Sequence, residues 1–152
     1  TYMSYVFPYM RIAELYLSYA EADFEYDGTL SDYGYECLNK IRSRCGLPTF
    51  QDSWSRAGGI PSGQKLRDII RRERSIEFLM EGRRFHDIRR WKIGAETTKV
   101  YGLTITPQND GSFSYVRSVI QQRGWDDRMN YYPIADAELF KNHNLVQNDG
   151  WK

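Results

Sequence analysis

The sequence predicts a mostly α-helical fold of stacked helix pairs, with one small β-hairpin and an irregular C-terminal segment. Three observations carry that prediction. Apolar residues recur at helical spacing over Tyr9 to Tyr26, over the segment ahead of Gly46, and again from Ser62 onward. A single pair of β-prone runs flanks Asn109-Asp110-Gly111, a strong short-range hairpin signal. The tail from Tyr131 is punctuated by Pro, Asn and Gly and holds one short helical run.

The chain has 152 residues, the size of one domain at about 100–150 residues. Its 21 Lys and Arg nearly balance its 20 Asp and Glu, so no overall field draws it to nucleic acid or to an anionic membrane. No run approaches the roughly 18 apolar residues of a membrane span. A helical pattern is under way soon after Thr1, so the sequence is expected to be an excerpt of a longer product.

In the first helix, at about 100° per residue, Arg11, Glu14, Ser18, Glu21 and Glu25 fall on one narrow strip and nearly everything else is apolar, aromatic or alanine. A helix with so wide an apolar face packs on more than one side. Ala13, Tyr16 and Ala20 have the small-aromatic-small spacing of tetratricopeptide helices. The second helix is capped at Ser31 or Asp32 and stopped by Gly46, with Pro48 just beyond. Cys37, Leu38, Ile41 and Cys45 share its inner face. The cysteines lie about 12 Å apart at helical rise, too far for a disulfide, and read as small core residues. Next, QDSWSRAGGIPSG reads as a loop from its Gly, Ser and Pro content, displaying Trp54 with Asp52 and Arg56 beside it. The hairpin is expected to lean on the helices, because two strands alone are marginal. In the tail, a short helix is expected over Asp136 to Lys141, followed by turns held by side-chain-to-backbone bonds.

The third long helix starts at Ser62. With Leu66 as reference, Ile69, Ile70, Ile76 and Met80 lie within about 80° of it. So do Glu73, Glu77 and, if the helix runs on through Gly82, Arg84. An unpaired buried charge costs several kcal/mol, so Glu73, Glu77 and Arg84 are expected to form an internal ion-pair network. Acidic residues Glu73, Glu77, Glu81 and Asp87 interrupt the basic ones, unlike the unbroken cationic stripe of a nucleic-acid face. A hydrolase with Glu73 and Glu77 as acid and base is a rival reading, but arginines hold carboxylates ionised, which does not suit a general acid. His86 lacks the Glu-x-x-His spacing of bundle metal sites. No cofactor or metal motif occurs in the chain.

Three segments together resemble the C-terminal part of the SusD/RagB-like family, surface glycan-binding lipoproteins of Bacteroidetes. They are MRIAELYLSYAEA; NKIRSRCGLP followed by IIRRERSIEFLMEGRRFHDIRRW; and YYPIADAELFKNHNLVQNDGW. The second carries the Ile-Arg-x-Arg-x-Gly step and then the family pattern in Glu73, Arg74, Glu77, Glu81, Gly82, Arg84, Asp87, Arg90 and Trp91. Ala135 stands where the family usually has a second proline, and His143 where Asn-Pro is usual.

The resemblance implies that residues 1–152 are a C-terminal piece whose N-terminal part, with its lipid anchor and further helices, lies elsewhere in the same protein. It implies a non-catalytic, outward-facing outer-membrane protein that captures oligosaccharide and passes it to a SusC-like TonB-dependent transporter. Sugar capture rests on aromatic faces with a few polar side chains. Trp54, with Asp52 and Arg56, is the first candidate, the alternative being that Trp54 folds back onto the helices. Trp125, beside Asp126, Asp127 and Arg128, is the second, as a transporter-facing or inter-lobe loop. The family's recognised sugar-contacting aromatics lie mostly upstream. The rival classes are a glycan-active hydrolase and a protein-interaction helical module without sugar contact.

Overall fold

The structure is a computed structural model and describes residues 9–151. It forms two compact units, one ending at Glu81 and the other beginning at Gly82. Among the described residues, six α-helices and one two-stranded sheet make it mostly helical, as expected.

The first unit is built from α1 (Ile12–Asp27), α2 (Asp32–Arg44), α3 (Phe50–Arg56) and α4 (Gly63–Glu77). Gly28, at φ 73°, ends α1 and donates its N–H to the Phe24 carbonyl at 2.8 Å, a left-handed stop that glycine adopts without steric cost. Ser31 caps α2, its Oγ accepting from the Gly34 N–H at 3.1 Å. Asp23 in turn accepts from the Ser31 N–H at 2.7 Å, which sets the entry of α2 against α1. Ala13, Leu17, Ala20 and Phe24 of α1 close a core with Cys37, Leu38 and Ile41 of α2, Phe50 of α3, and Leu66, Ile69 and Ile70 of α4.

Three expectations for this unit are corrected. The stretch around Trp54 is a helix rather than a loop. Thr49 caps it by accepting from the Asp52 N–H at 3.1 Å, and Phe50 is fully buried at its start, so tertiary burial outweighs the Ser and Gly content. The wide apolar face of α1 is not buried throughout, because the polar strip takes one of the packed sides: Arg11, Glu14, Ser18 and Glu25 meet side chains of α4. Ile12, Leu15, Tyr19 and Tyr26 of the apolar face are exposed.

The third correction concerns α4, which does not run on through Gly82. It ends at Glu77, Met80 and Gly82 take left-handed φ of 67° and 74°, and α5 (Arg83–Arg90) starts afresh. Ile76 and Met80, placed by the wheel on the packed stripe, are exposed. Arg84 is exposed in α5, with its guanidinium 5.7 Å from the Trp91 ring centre.

In the second unit, β1 (Lys99–Pro107) pairs antiparallel with β2 (Phe113–Gln122). The turn forms where Asn109-Asp110-Gly111 placed it: Asp110 accepts from the Ser112 N–H at 2.9 Å, and Gly111 has φ 82°. The register slips beyond Tyr101, which pairs with Val119 while Val100 pairs with Gln121, so Ile120 is the extra residue of a bulge. Contrary to expectation, the hairpin does not bury a face within its own unit. Tyr101, Leu103, Ile105, Phe113 and Tyr115 are all exposed, and Arg117 lies 3.7 Å over the Tyr101 ring.

The tail holds α6 (Asp136–Lys141), as expected. Side chains order the rest. The Gln147 amide both accepts from the Ile134 N–H and donates to the Ile134 carbonyl, each at 2.8 Å. Trp151 Nε1 donates to the Arg128 carbonyl at 2.9 Å.

Candidate ligand-binding site

The two carboxylates that the helical wheel turned inward meet arginines from outside α4. Arg11 Nη1 donates to Glu77 Oε1 at 2.8 Å, and Arg44 Nη2 donates to Glu77 Oε2 at 2.6 Å. Arg11 also grips Glu81 with two bonds, Nε to Oε2 at 3.1 Å and Nη2 to Oε1 at 2.7 Å. The Glu81 bond, ahead of that from Glu77, holds the Arg11 guanidinium above its usual range against the opposing effect of burial. Glu73 receives Arg42 Nη1 at 2.5 Å. Arg84, which the wheel placed on the same helix as Glu73 and Glu77, lies in α5 instead, and the arginines that engage these carboxylates include Arg11, Arg42 and Arg44. Arg74 is the buried arginine of α4, near Glu14 at 3.8 Å and over the Phe78 ring at 5.1 Å.

Arg42 opens the way from this network to a cavity. Its other two nitrogens are also engaged, Nη2 to Ser53 Oγ at 2.7 Å and Nε to the Pro48 carbonyl at 2.9 Å, so the guanidinium is held in one geometry. Beside it lies a cavity of about 330 Å³, lined by Arg42 from α2, Ser53, Trp54 and Ala57 around α3, and Ile69, Arg72, Glu73 and Ile76 from α4. That size lies at the lower end of small-ligand pockets, roughly 300–1,000 Å³.

Trp54 is half-buried, with one part packed on the core and its ring centre 6.2 Å from that of Phe50. The rest contributes to the cavity wall, and Lys65 Nζ lies 5.6 Å from the ring centre. Trp54 thus folds back onto the helices and also lines a depression. Asp52 and Arg56 are exposed and do not line the cavity. On a helix, residues two apart point to different sides, and it is α3 that separates them. Arg42, Ile69, Arg72 and Ile76 were missed, although Ile69, Arg72, Glu73 and Ile76 carry the i, i+3, i+4, i+7 signal of a shared face.

Trp125 belongs to the second unit and is packed differently. A Cβ on Gly94 would overlap its indole, so the ring lies directly on the Gly94 backbone. Arg89 stacks 3.6 Å over Phe85 and lies 5.5 Å from Trp125. These residues border a smaller cavity of about 260 Å³. Asp126 is occupied in accepting from the Arg128 N–H at 3.1 Å.

Helix pairs tied by buried arginine–carboxylate contacts, with a half-apolar pocket beside them, define a helical protein with a candidate ligand site. The chain belongs to the SusD family, which it matches over residues 1–151. It is 30% identical over 140 residues to a "SusD-like protein P2" of Formosa agariphila, a match covering 92% of this chain and 25% of that protein. A crystal structure of a SusD-like protein from Bacteroides fragilis superposes with a TM-score of 0.68 at 35% identity, covering 93% of this chain and 25% of that one. The chain thus spans about a quarter of the length of these relatives.

Proposed function

We propose that this chain is part of a non-catalytic glycan-binding protein that captures oligosaccharide at the outer surface of the outer membrane and passes it to a SusC-like TonB-dependent transporter. The observation that carries the binding part is the cavity at Trp54. An aromatic ring bordered by Ile69 and Ile76 offers an apolar platform, and Arg42, Ser53 and Glu73 stand beside it as polar groups. This is the combination by which neutral ring faces and hydroxyls of a sugar are held together. Membership of the SusD family supports the assignment to nutrient uptake. Anchoring through a lipid on an N-terminal part belongs to the same proposal.

The N-terminal part of the same protein is the proposed partner of α1. Ile12, Leu15, Tyr19 and Tyr26 form an exposed apolar stripe at helical spacing, and the relatives are about four times as long as the matched region. Bond breaking is not part of the proposal, since Glu73 and Glu77, the paired carboxylates of a hydrolase reading, are both engaged by arginines.

The test is calorimetric titration of the full-length protein against a polysaccharide panel, with product analysis of each mixture. Heat of binding without product is expected. Release of shorter sugars by the purified protein would sink the binding-only reading, and absence of binding to any glycan would remove the function altogether.

A further inference from the structure

We infer that the Trp54 cavity selects a sugar bearing an anionic substituent, a carboxylate or a sulfate. The inference rests on the proposal that this cavity is a glycan site and specifies its ligand class. The argument is the charge left over after internal pairing. Three charged side chains line the cavity, Arg42, Arg72 and Glu73. Glu73 and Arg42 neutralise one another at 2.5 Å, and the other two nitrogens of Arg42 bond to Ser53 and the Pro48 carbonyl. That leaves Arg72, exposed on α4, whose guanidinium has no carboxylate partner among the described residues. Lys65, exposed on the same face of α4 about two turns earlier, reaches the Trp54 ring and adds a second uncompensated cation at the rim.

A cation beside an aromatic platform is wasted on a neutral sugar, whose hydroxyls give it little more than water does. For a sugar acid the same arrangement is complementary. The ring face stacks on Trp54, and the anionic group takes charge-assisted bonds from the planar fork of Arg72. The fixed Arg42–Glu73 pair keeps the neighbouring carboxylate from turning toward the ligand and repelling it. Because Arg72 and Lys65 are exposed, the attraction is screened by salt.

The experiment titrates the full-length protein with three oligosaccharides of matched length: an oligogalacturonide, a sulfated galactan and an unsubstituted galactan. Each is measured at low and high NaCl, for the parent and for Arg72→Gln and Trp54→Ala. The acidic probes are expected to bind about ten-fold more tightly than the neutral one, as befits one charge-assisted bond, and to lose that advantage at high salt. Arg72→Gln is expected to cost the acidic probes about ten-fold more than it costs the neutral one. Preference for the oligogalacturonide over the sulfated probe, or the reverse, identifies which anion the site reads. Equal affinity for neutral and acidic probes, or equal losses on all of them in Arg72→Gln, overturns the inference while leaving the glycan site standing if Trp54→Ala abolishes binding. Failure of every acidic probe to bind overturns it outright. Unchanged binding in Trp54→Ala overturns the glycan-site proposal itself.

Discussion

Arg11 holds Glu77 at two points, Nη1 donating to the carboxylate at 2.8 Å and Nη2 to the backbone carbonyl at 3.2 Å. Arg11 is the residue just before α1, and Glu77 is the last residue of α4. One side chain therefore ties the start of one helix to the end of another and satisfies a carbonyl that the helix itself leaves open. The Glu77 side chain is only 6% exposed, so its charge depends on these partners.

Glu77→Ala is accordingly expected to lose about 3–5 kcal/mol of stability, the range for breaking a buried ion pair and stranding its cations. Urea unfolding of the full-length protein measures it. Arg84→Ala, at an exposed position in α5, is expected to lose distinctly less. Equal losses from the two would show that position 84 belongs to the buried set after all.

The break after α4 can be tested by the sign of one substitution. Gly82 has φ 74°, so Gly82→Ala should destabilise by about 1–2 kcal/mol, the cost of a left-handed residue with a Cβ. In an unbroken helix the same change would stabilise by roughly 0.5–1 kcal/mol. Thermal melting decides between them, and a rise in Tm would mean that the helix continues.

Trp54→Phe should keep part of any glycan affinity and Trp54→Ala should abolish it, because a smaller aromatic platform still stacks. Calorimetry gives the affinities and far-UV circular dichroism confirms that α3 persists. Full affinity in Trp54→Ala would remove the residue from the site.

Trp125 should behave as a packing residue. Gly94→Ala drives a methyl into its indole and is expected to cost about 1–3 kcal/mol, as overpacking does. The loss should appear in the near-UV signal of the tryptophan and leave the helical far-UV signal largely in place. An unchanged near-UV spectrum would mean that the ring is not seated on Gly94.

The two cysteines should differ in reactivity. Cys45 is exposed and Cys37 is buried, and burial pushes the Cys37 thiol above its ordinary range, only partly offset by a bond with Tyr33. The fold thus holds the neutral thiol. Its contribution to stability is complete below the unfolded thiol's pKa and is lost as pH rises through the raised one. Iodoacetamide should label one of these two residues, Cys45, in the native protein and Cys37 only on unfolding; native labelling of Cys37 would contradict its burial.

Much of this was legible in the chain. Gly28 and Gly46 mark helix ends, Asn109-Asp110-Gly111 marks the hairpin, and Asp136–Lys141 the short helix, because caps and turns are set by local backbone chemistry. The inward turn of Glu73 and Glu77 was legible too, since 3.6-residue periodicity places them beside Leu66 and Ile70. Three things were not. A seven-residue helix at Trp54 depends on burying Phe50, which its own composition does not announce. The break at Met80 precedes a glycine that a helix can tolerate.

The identity of ion-pair partners was the third. Local spacing tells that a carboxylate faces inward, because a helix fixes direction within a few residues. It cannot tell which guanidinium arrives there, because Arg11 and Glu77 stand 66 positions apart in the chain and meet only when α1 and α4 pack. The sequence by itself determined that helices form over most of α1, α2, α4 and α6, and it determined the hairpin and the family. Packing decided that the polar strip of α1 is an interface, and that the groups around Trp54 are Arg42 and Arg72 rather than Asp52 and Arg56.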